Sequence, residues 1–188
     1  MSIEQLLSTA TQDSAALMPQ IAAMHPQLKK LADAMMECWR GGGKVMTAGN
    51  GGSACDAMHL AEELVARFEK NRRALAAMAL CDSTVITCAA NDFGFENIFS
   101  RQVEGLGNAK DILVVFSTSG NSVNLIRAIE AAKARGMTTV AFLGKDGGKM
   151  KGMCTIELHV PAKTSHRTQE CHQLLYHTLC EWVDTQVG

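Results

Sequence analysis

The chain has 188 residues, 47% of them hydrophobic and 20% charged, with a formal net charge of −1. That length supports a real core in a single domain over 1–188, and the near-neutral balance offers no electrostatic footprint for nucleic acid or an anionic membrane. Seven cysteines (Cys38, Cys55, Cys81, Cys88, Cys154, Cys171 and Cys180) are odd in number, lie in apolar segments and form no Cys-x-x-Cys. They read as reduced thiols of a cytoplasmic protein rather than a disulfide or zinc framework. The opening MSIEQLLSTATQDS lacks the basic start and apolar run of a secretory signal, and no stretch approaches the roughly eighteen apolar residues of a membrane span.

Residues 2–24 read as an amphipathic helix with Ile3, Leu6, Leu7, Ala10, Leu17 and Ile21 on one side and a bend expected at Pro19. It is not needed to cover a sheet, and such a spare apolar helix often packs on another copy of the chain, so oligomerisation is expected. Pro26 opens a second helix that runs to Arg40 and stops at the glycines 41–43. These helices make up an N-terminal part, 1–42, ahead of an α/β core over 43–188. Residues 45–48 form a first strand, Gly49-Asn50-Gly51-Gly52-Ser53 a turn, and residues 53–70 a helix-forming segment without Pro or Gly. Residues 75–80 read as a second strand. Asp82-Ser83-Thr84 looks like a cap for a short helix ending near Ala90, followed by a turn over 91–95 and a helix over 96–106. The unbroken apolar run at 112–116 suits a strand buried on both faces of a parallel sheet. Behind it Leu125, Ile126, Ile129 and Ala132 recur at helical spacing, with Gly136 as the stop. Strands at 138–143 and 155–160 and a closing helix over 165–184 complete the chain. The alternation predicts an α/β fold, a five-stranded parallel sheet with helices on both faces and ligands beyond the carboxyl ends of its strands.

Two strand–loop–helix units carry the chemistry. In the first, glycines let the backbone approach a ligand and the free N–H groups of the helix start attract an anion; a simple strand-to-helix connection is the blander reading. On the same helix His59 and Glu63 are four apart and share a face, as many solvated pairs do. The second unit repeats the layout. Ser117-Thr118-Ser119-Gly120-Asn121-Ser122 places four hydroxyls before a helix start, which suits a phosphate monoester, although no P-loop Gly-Lys-Ser/Thr follows. The last helix adds Gln169, Glu170, His172 and His177. Gln169 and His177 are eight apart and roughly share a face. With His59 and Glu63 they could bind Zn²⁺ tetrahedrally, an amide being an uncommon ligand, or serve as acid/base groups without a metal, while spacing alone, with no dense ligand motif, favours a structural role for His177.

These pieces carry a resemblance. GNGGSACDAMHLAEEL (49–64), ANDFGFENIFSRQVE (90–104), DILVVFSTSGNS (111–122), GKDGGKM (144–150) and RTQECHQLLYH (167–177) are similar, in order and spacing, to the phosphoheptose isomerases of the sugar isomerase (SIS) superfamily. The resemblance implies a flavodoxin-like three-layer SIS fold with an N-terminal oligomerisation helix. It implies an aldose–ketose isomerase converting sedoheptulose 7-phosphate to D-glycero-D-manno-heptose 7-phosphate through an enediol, for lipopolysaccharide precursor synthesis. Ser117, Thr118, Ser119 and Ser122 would hold the phosphate. Asn50, Gly51, Gly52, Ser53, Asn91 and Asp92 would contact the rest of the sugar, with Glu63 and Gln169. His59, Glu63, Gln169 and His177 would hold one Zn²⁺ per subunit, with Glu63 and His177 as the catalytic pair. The family is generally a homotetramer with active sites between subunits. AKTSHR (162–167) departs from the family pattern and adds His166. The superfamily also contains non-catalytic adaptors that bind a replication initiator; those lack the His/Glu pair that His59 and Glu63 supply. A sugar-phosphate-sensing regulator would need a DNA-binding domain for which the chain has no room.

Overall fold

The structure, a computed structural model, describes residues 1–187. The first helix, α1 (Ile3–Ala22), begins with a capping box in which Ser2 and Gln5 satisfy each other's backbone N–H groups, and it runs through Pro19. Next come α2 (His25–Arg40), β1 (Val45–Gly49) and α3 (Gly52–Val65). They are followed by β2 (Ala77–Ala79), α4 (Ser83–Phe93), α5 (Ser100–Leu106) and β3 (Ile112–Ser117). The chain closes with α6 (Val123–Ala134), β4 (Thr138–Gly144), β5 (Ile156–Val160) and α7 (Ser165–Gln186).

The strands form one five-stranded sheet in the order β2-β1-β3-β4-β5, and every neighbouring pair is parallel. β1 and β3 are buried along their whole length, as strands covered on both faces must be. Alternate strand residues feed two separate cores. Val45, Val114, Phe116 and Phe142 pack with α2, α3 and α7 on one face. Met46, Leu113, Val115 and Ala141 pack with α5 and α6 on the other. The order reverses between β1 and β3, so the loops leaving these two strands open side by side at the carboxyl edge, where doubly wound sheets take their ligands.

Four boundaries differ from the sequence reading, each for a tertiary reason. The helix expected to continue to residue 70 stops at Val65. There Arg72 donates to the carbonyls of Glu63 (2.7 Å) and Leu64 (3.0 Å), and Asp184 accepts the backbone N–H groups of Glu69 and Lys70. The buried Arg72–Asp184 ion pair at 2.7 Å thus draws residues 66–74 off the helix axis despite their helical propensity. The strand expected over 75–80 is only Ala77–Ala79, because the Leu75 N–H bonds to the end of α3 (Leu64 carbonyl, 3.1 Å) instead of the sheet. Asn91, Asp92 and Phe93, expected in a turn, form the last turn of α4, which ends at Gly94 with φ +87°. The helix expected over 96–106 is split into a 3₁₀ turn (Phe95–Asn97) and α5. Asn97 is held between the Phe93 carbonyl and the Arg127 guanidinium, which fixes that break.

Candidate active site

The β3–α6 loop builds a small polar cavity of about 100 Å³, lined by Asn50, Ser53, Phe116, Ser117, Thr118, Ser119 and Ser122. Ser117 and Ser119 turn their hydroxyls back to accept the N–H groups of Gly120 (3.0 Å) and Asn121 (3.2 Å), which shapes the loop from within. Ser122 caps α6 by position but makes no side-chain cap bond, so its hydroxyl and the first N–H groups of α6 remain for a ligand. Gly120 has φ +64°, and a Cβ there would lie 1.8 Å from the Gly147 carbonyl, so only glycine closes this turn. Asn50 and Asn124 exchange two amide hydrogen bonds of 3.0 and 2.9 Å, locking the β1–α3 loop to α6. A larger cleft of about 580 Å³, lined in part by Asn50, Ser122, Asn124 and Arg127, opens beside the cavity.

Farther along α3 lies a second group. His59 Nε2 is 3.0 Å from Glu63 Oε1, and a ligand atom from each of His59, Glu63 and His177 falls within 4.8 Å of the others. His177 Nε2 is buried and has no hydrogen-bond partner, an orphaned donor atom that a cation would satisfy. Two imidazoles and a carboxylate are the donor set of a catalytic zinc site, so the residues fit the metal. Burial, and next the charge of His59, holds His177 below the usual histidine range, while Glu63 opposes both. His59 Nδ1 meets the Tyr176 hydroxyl at 3.0 Å.

Gln169, on the first turns of α7, reaches the start of α3. Its Nε2 is 3.5 Å from Ser53 Oγ, and a Cβ on Gly52 would come within 2.5 Å of it, so Gly52 makes room for the amide. Gly51, at φ +56°, precedes that first turn. Asn91 and Asp92 bond to each other (2.7 Å) on the exposed end of α4 and do not line the small cavity. His166 is exposed and bonds to Thr164, 3.1 Å away.

Sequence reading missed Asp56, Tyr176 and Asn124. Asp56 was findable, since it precedes His59 by three on the same helix face. It is 8% exposed, its Oδ2 has no partner, and burial pushes its carboxyl up to about 6 against the pull of His59. Tyr176 and Asn124 carry no such signal, because each meets its partner only across the fold. His172 is a core residue. Burial takes its pKa down to about 4, and its Nε2–H donates to the Leu143 carbonyl at 3.3 Å.

A parallel α/β domain with a hydroxyl-lined cavity at its switch point fits a SIS-type domain, and the family model described as "SIS domain" matches residues 11–144. Among curated relatives, the phosphoheptose isomerase of Fusobacterium nucleatum is 51% identical over 84% of this chain and 81% of the relative. That of Shewanella frigidimarina is 43% identical over 97% and 94%. The solved phosphoheptose isomerase of Francisella tularensis superposes with a TM-score of 0.94 at 37% identity, covering 98% of this chain and all of the other. The chain belongs to the phosphoheptose isomerase family of SIS-domain proteins.

Proposed function

We propose that the chain is an aldose–ketose isomerase acting on sedoheptulose 7-phosphate and yielding D-glycero-D-manno-heptose 7-phosphate, a lipopolysaccharide precursor. The observation that carries this reading is that one helix, α3, joins both halves of the site. Its first turn borders the phosphate-sized cavity and its middle presents His59 and Glu63. Ser53 and His59 are separated by about 9 Å of helix rise, a span that an extended phosphorylated sugar covers.

Isomerisation moves a proton between C1 and C2 through a cis-enediol. The hydroxyls of Ser117, Thr118, Ser119 and Ser122 and the N-terminus of α6 anchor the phosphate, which limits the orientations of the carbon chain. Asn50, Gly51, Gly52, Ser53 and Gln169 line the route along α3 toward the far end. Asn91 and Asp92, exposed on α4, serve the sugar where copies of the chain meet. Glu63 takes the proton from one carbon, and His177, whose neutral form burial favours, is its acid/base counterpart: as imidazole it accepts a hydroxyl proton, and as the imidazolium so formed it gives that proton back on the other side. His59, Glu63 and His177, with Gln169, would hold one Zn²⁺, which would supply Lewis-acid stabilisation of the enediolate oxygens, with Glu63 alternating between ligand and base as substrate binds. The adaptor alternative is the weaker one, because those adaptors lack the His/Glu pair. We place the enzyme in the cytoplasm as a homotetramer.

The test is a proton NMR time course with sedoheptulose 7-phosphate in D₂O, with and without added Zn²⁺. New aldose signals carrying deuterium at C2 are expected. A folded protein that converts nothing under either condition sinks the isomerase reading in favour of the adaptor.

A further inference from the structure

Tyr176 is the least explained member of the cluster. It is 1% exposed, and its ring stands edge-on to Phe116 at 6.0 Å, His59 at 5.5 Å and His177 at 4.9 Å. A phenylalanine would pack there equally well. What phenylalanine lacks is the hydroxyl, and that group meets His59 Nδ1 at 3.0 Å. The other ring nitrogen, Nε2, faces Glu63 Oε1 at 3.0 Å. A carboxylate only accepts, so in the neutral ring Nε2 carries the proton, Nδ1 is the acceptor, and the Tyr176 O–H donates to it. The imidazole is therefore held at both nitrogens, and a half-turn of the ring would break both bonds.

We propose that Tyr176 is a positioning residue that, by occupying Nδ1, keeps His59 Nε2 turned toward Glu63 and His177 and so sets the cluster's affinity for a divalent cation. The inference rests on reading those three residues as a metal site. When the Nε2 lone pair goes to a cation, the proton leaves Nε2 and the neutral ring carries one on Nδ1 instead. The bond to Tyr176 then reverses, with Nδ1–H donating to the phenolic oxygen. A hydroxyl serves both states, because it donates in one and accepts in the other. Partners of this kind fix the tautomer and orientation of a metal-binding histidine, and losing them lowers metal affinity by about 10–100-fold.

The test titrates the chelator-stripped full chain with Zn²⁺ against a chromophoric competitor, in the parent, Tyr176→Phe and His177→Ala. One zinc per chain is expected in the parent, with affinity about 10–100-fold weaker in Tyr176→Phe and weaker again in His177→Ala. The melting temperature of Tyr176→Phe should move by only about 2–4 °C, the effect of one lost hydrogen bond. A purely structural role would not move the second readout, the ¹⁵N spectrum of His59 in the metal-free protein. It should report the Nε2–H tautomer in the parent and a mixture in Tyr176→Phe. Equal zinc affinity in the parent and Tyr176→Phe overturns the proposal and leaves the metal reading standing. A parent that takes up no zinc, or zinc binding that His177→Ala leaves unchanged, overturns the metal reading and the proposal with it.

Discussion

Histidines at three places in this chain carry different chemistry because their surroundings differ. His172 is wedged against Phe116 and Phe142 with no exposed surface and stays neutral. His59 and His177 face a carboxylate at the edge of the site, and His166 is solvated. The His172 environment has a pH consequence. Its folded pKa of about 4 lies below the ordinary 6.5, so between these values the unfolded chain binds a proton that the folded one refuses. Stability therefore falls as pH drops through that window, by up to roughly 3 kcal/mol from this ring alone. Urea unfolding from pH 7 to pH 4 should show that slope in the parent and lack it in His172→Gln; parallel curves would contradict the assignment. Glu63 makes the sharper functional prediction. Glu63→Gln keeps the shape and removes the base, so turnover should drop at least about 10²–10⁴-fold while sugar-phosphate binding, followed by calorimetry, stays within a few fold. A Glu63→Gln enzyme with near-parental turnover would remove Glu63 from the chemistry.

At the level of elements, legibility depended on how far apart the deciding contacts lie. The β1–α3 and β3–α6 units were readable because strand, turn and helix start are contiguous, and the structure brings both to neighbouring strands. The end of α3 was not readable. Residues 66–70 favour helix locally, and Asp184, more than a hundred residues away, overrides them together with Arg72. Burial would raise the Asp184 carboxyl, but the N–H groups of Lys70 and Glu69 and the Arg72 guanidinium outweigh it and hold it below its ordinary value. Its stabilisation is thus present above pH 3.8 and lost as pH falls through the lowered folded value. Asp184→Asn leaves a buried guanidinium without its counter-charge and should cost about 3–5 kcal/mol at pH 7, measured by denaturant unfolding. Because the pair ties the end of α3 to α7, the same variant should loosen the His59–His177 arrangement. A loss below about 1 kcal/mol would show that the segment is held in place by other contacts.

For the whole molecule, the sheet and its two helical layers follow from periodicity, but the partner of α1 does not. Its second half is docked: Leu17 and Ile21 are buried in the core, and Ser14 bonds to Glu170, itself paired with Arg167. Its first half presents Ile3 at 81%, Leu6 at 50% and Leu7 at 64% exposure. The capping box shows that the sequence encodes this turn as helix rather than a frayed end, yet none of the described residues covers its apolar side. A well-formed helix with an uncovered leucine face buries it most simply against a copy of itself, and a closed assembly repeats that contact. Leu7→Glu should therefore leave each chain folded, because the side chain is exposed there, and should break the proposed assembly by placing charges in an apolar seam. Sedimentation equilibrium should give about four chains for the parent and fewer for the variant. Thermal stability should depend on protein concentration in the parent more than in the variant. If copies complete the site, turnover falls with the mass while the β3–α6 loop stays intact. A parent that sediments as one chain, or a Leu7→Glu protein with unchanged mass, would take assembly away from α1.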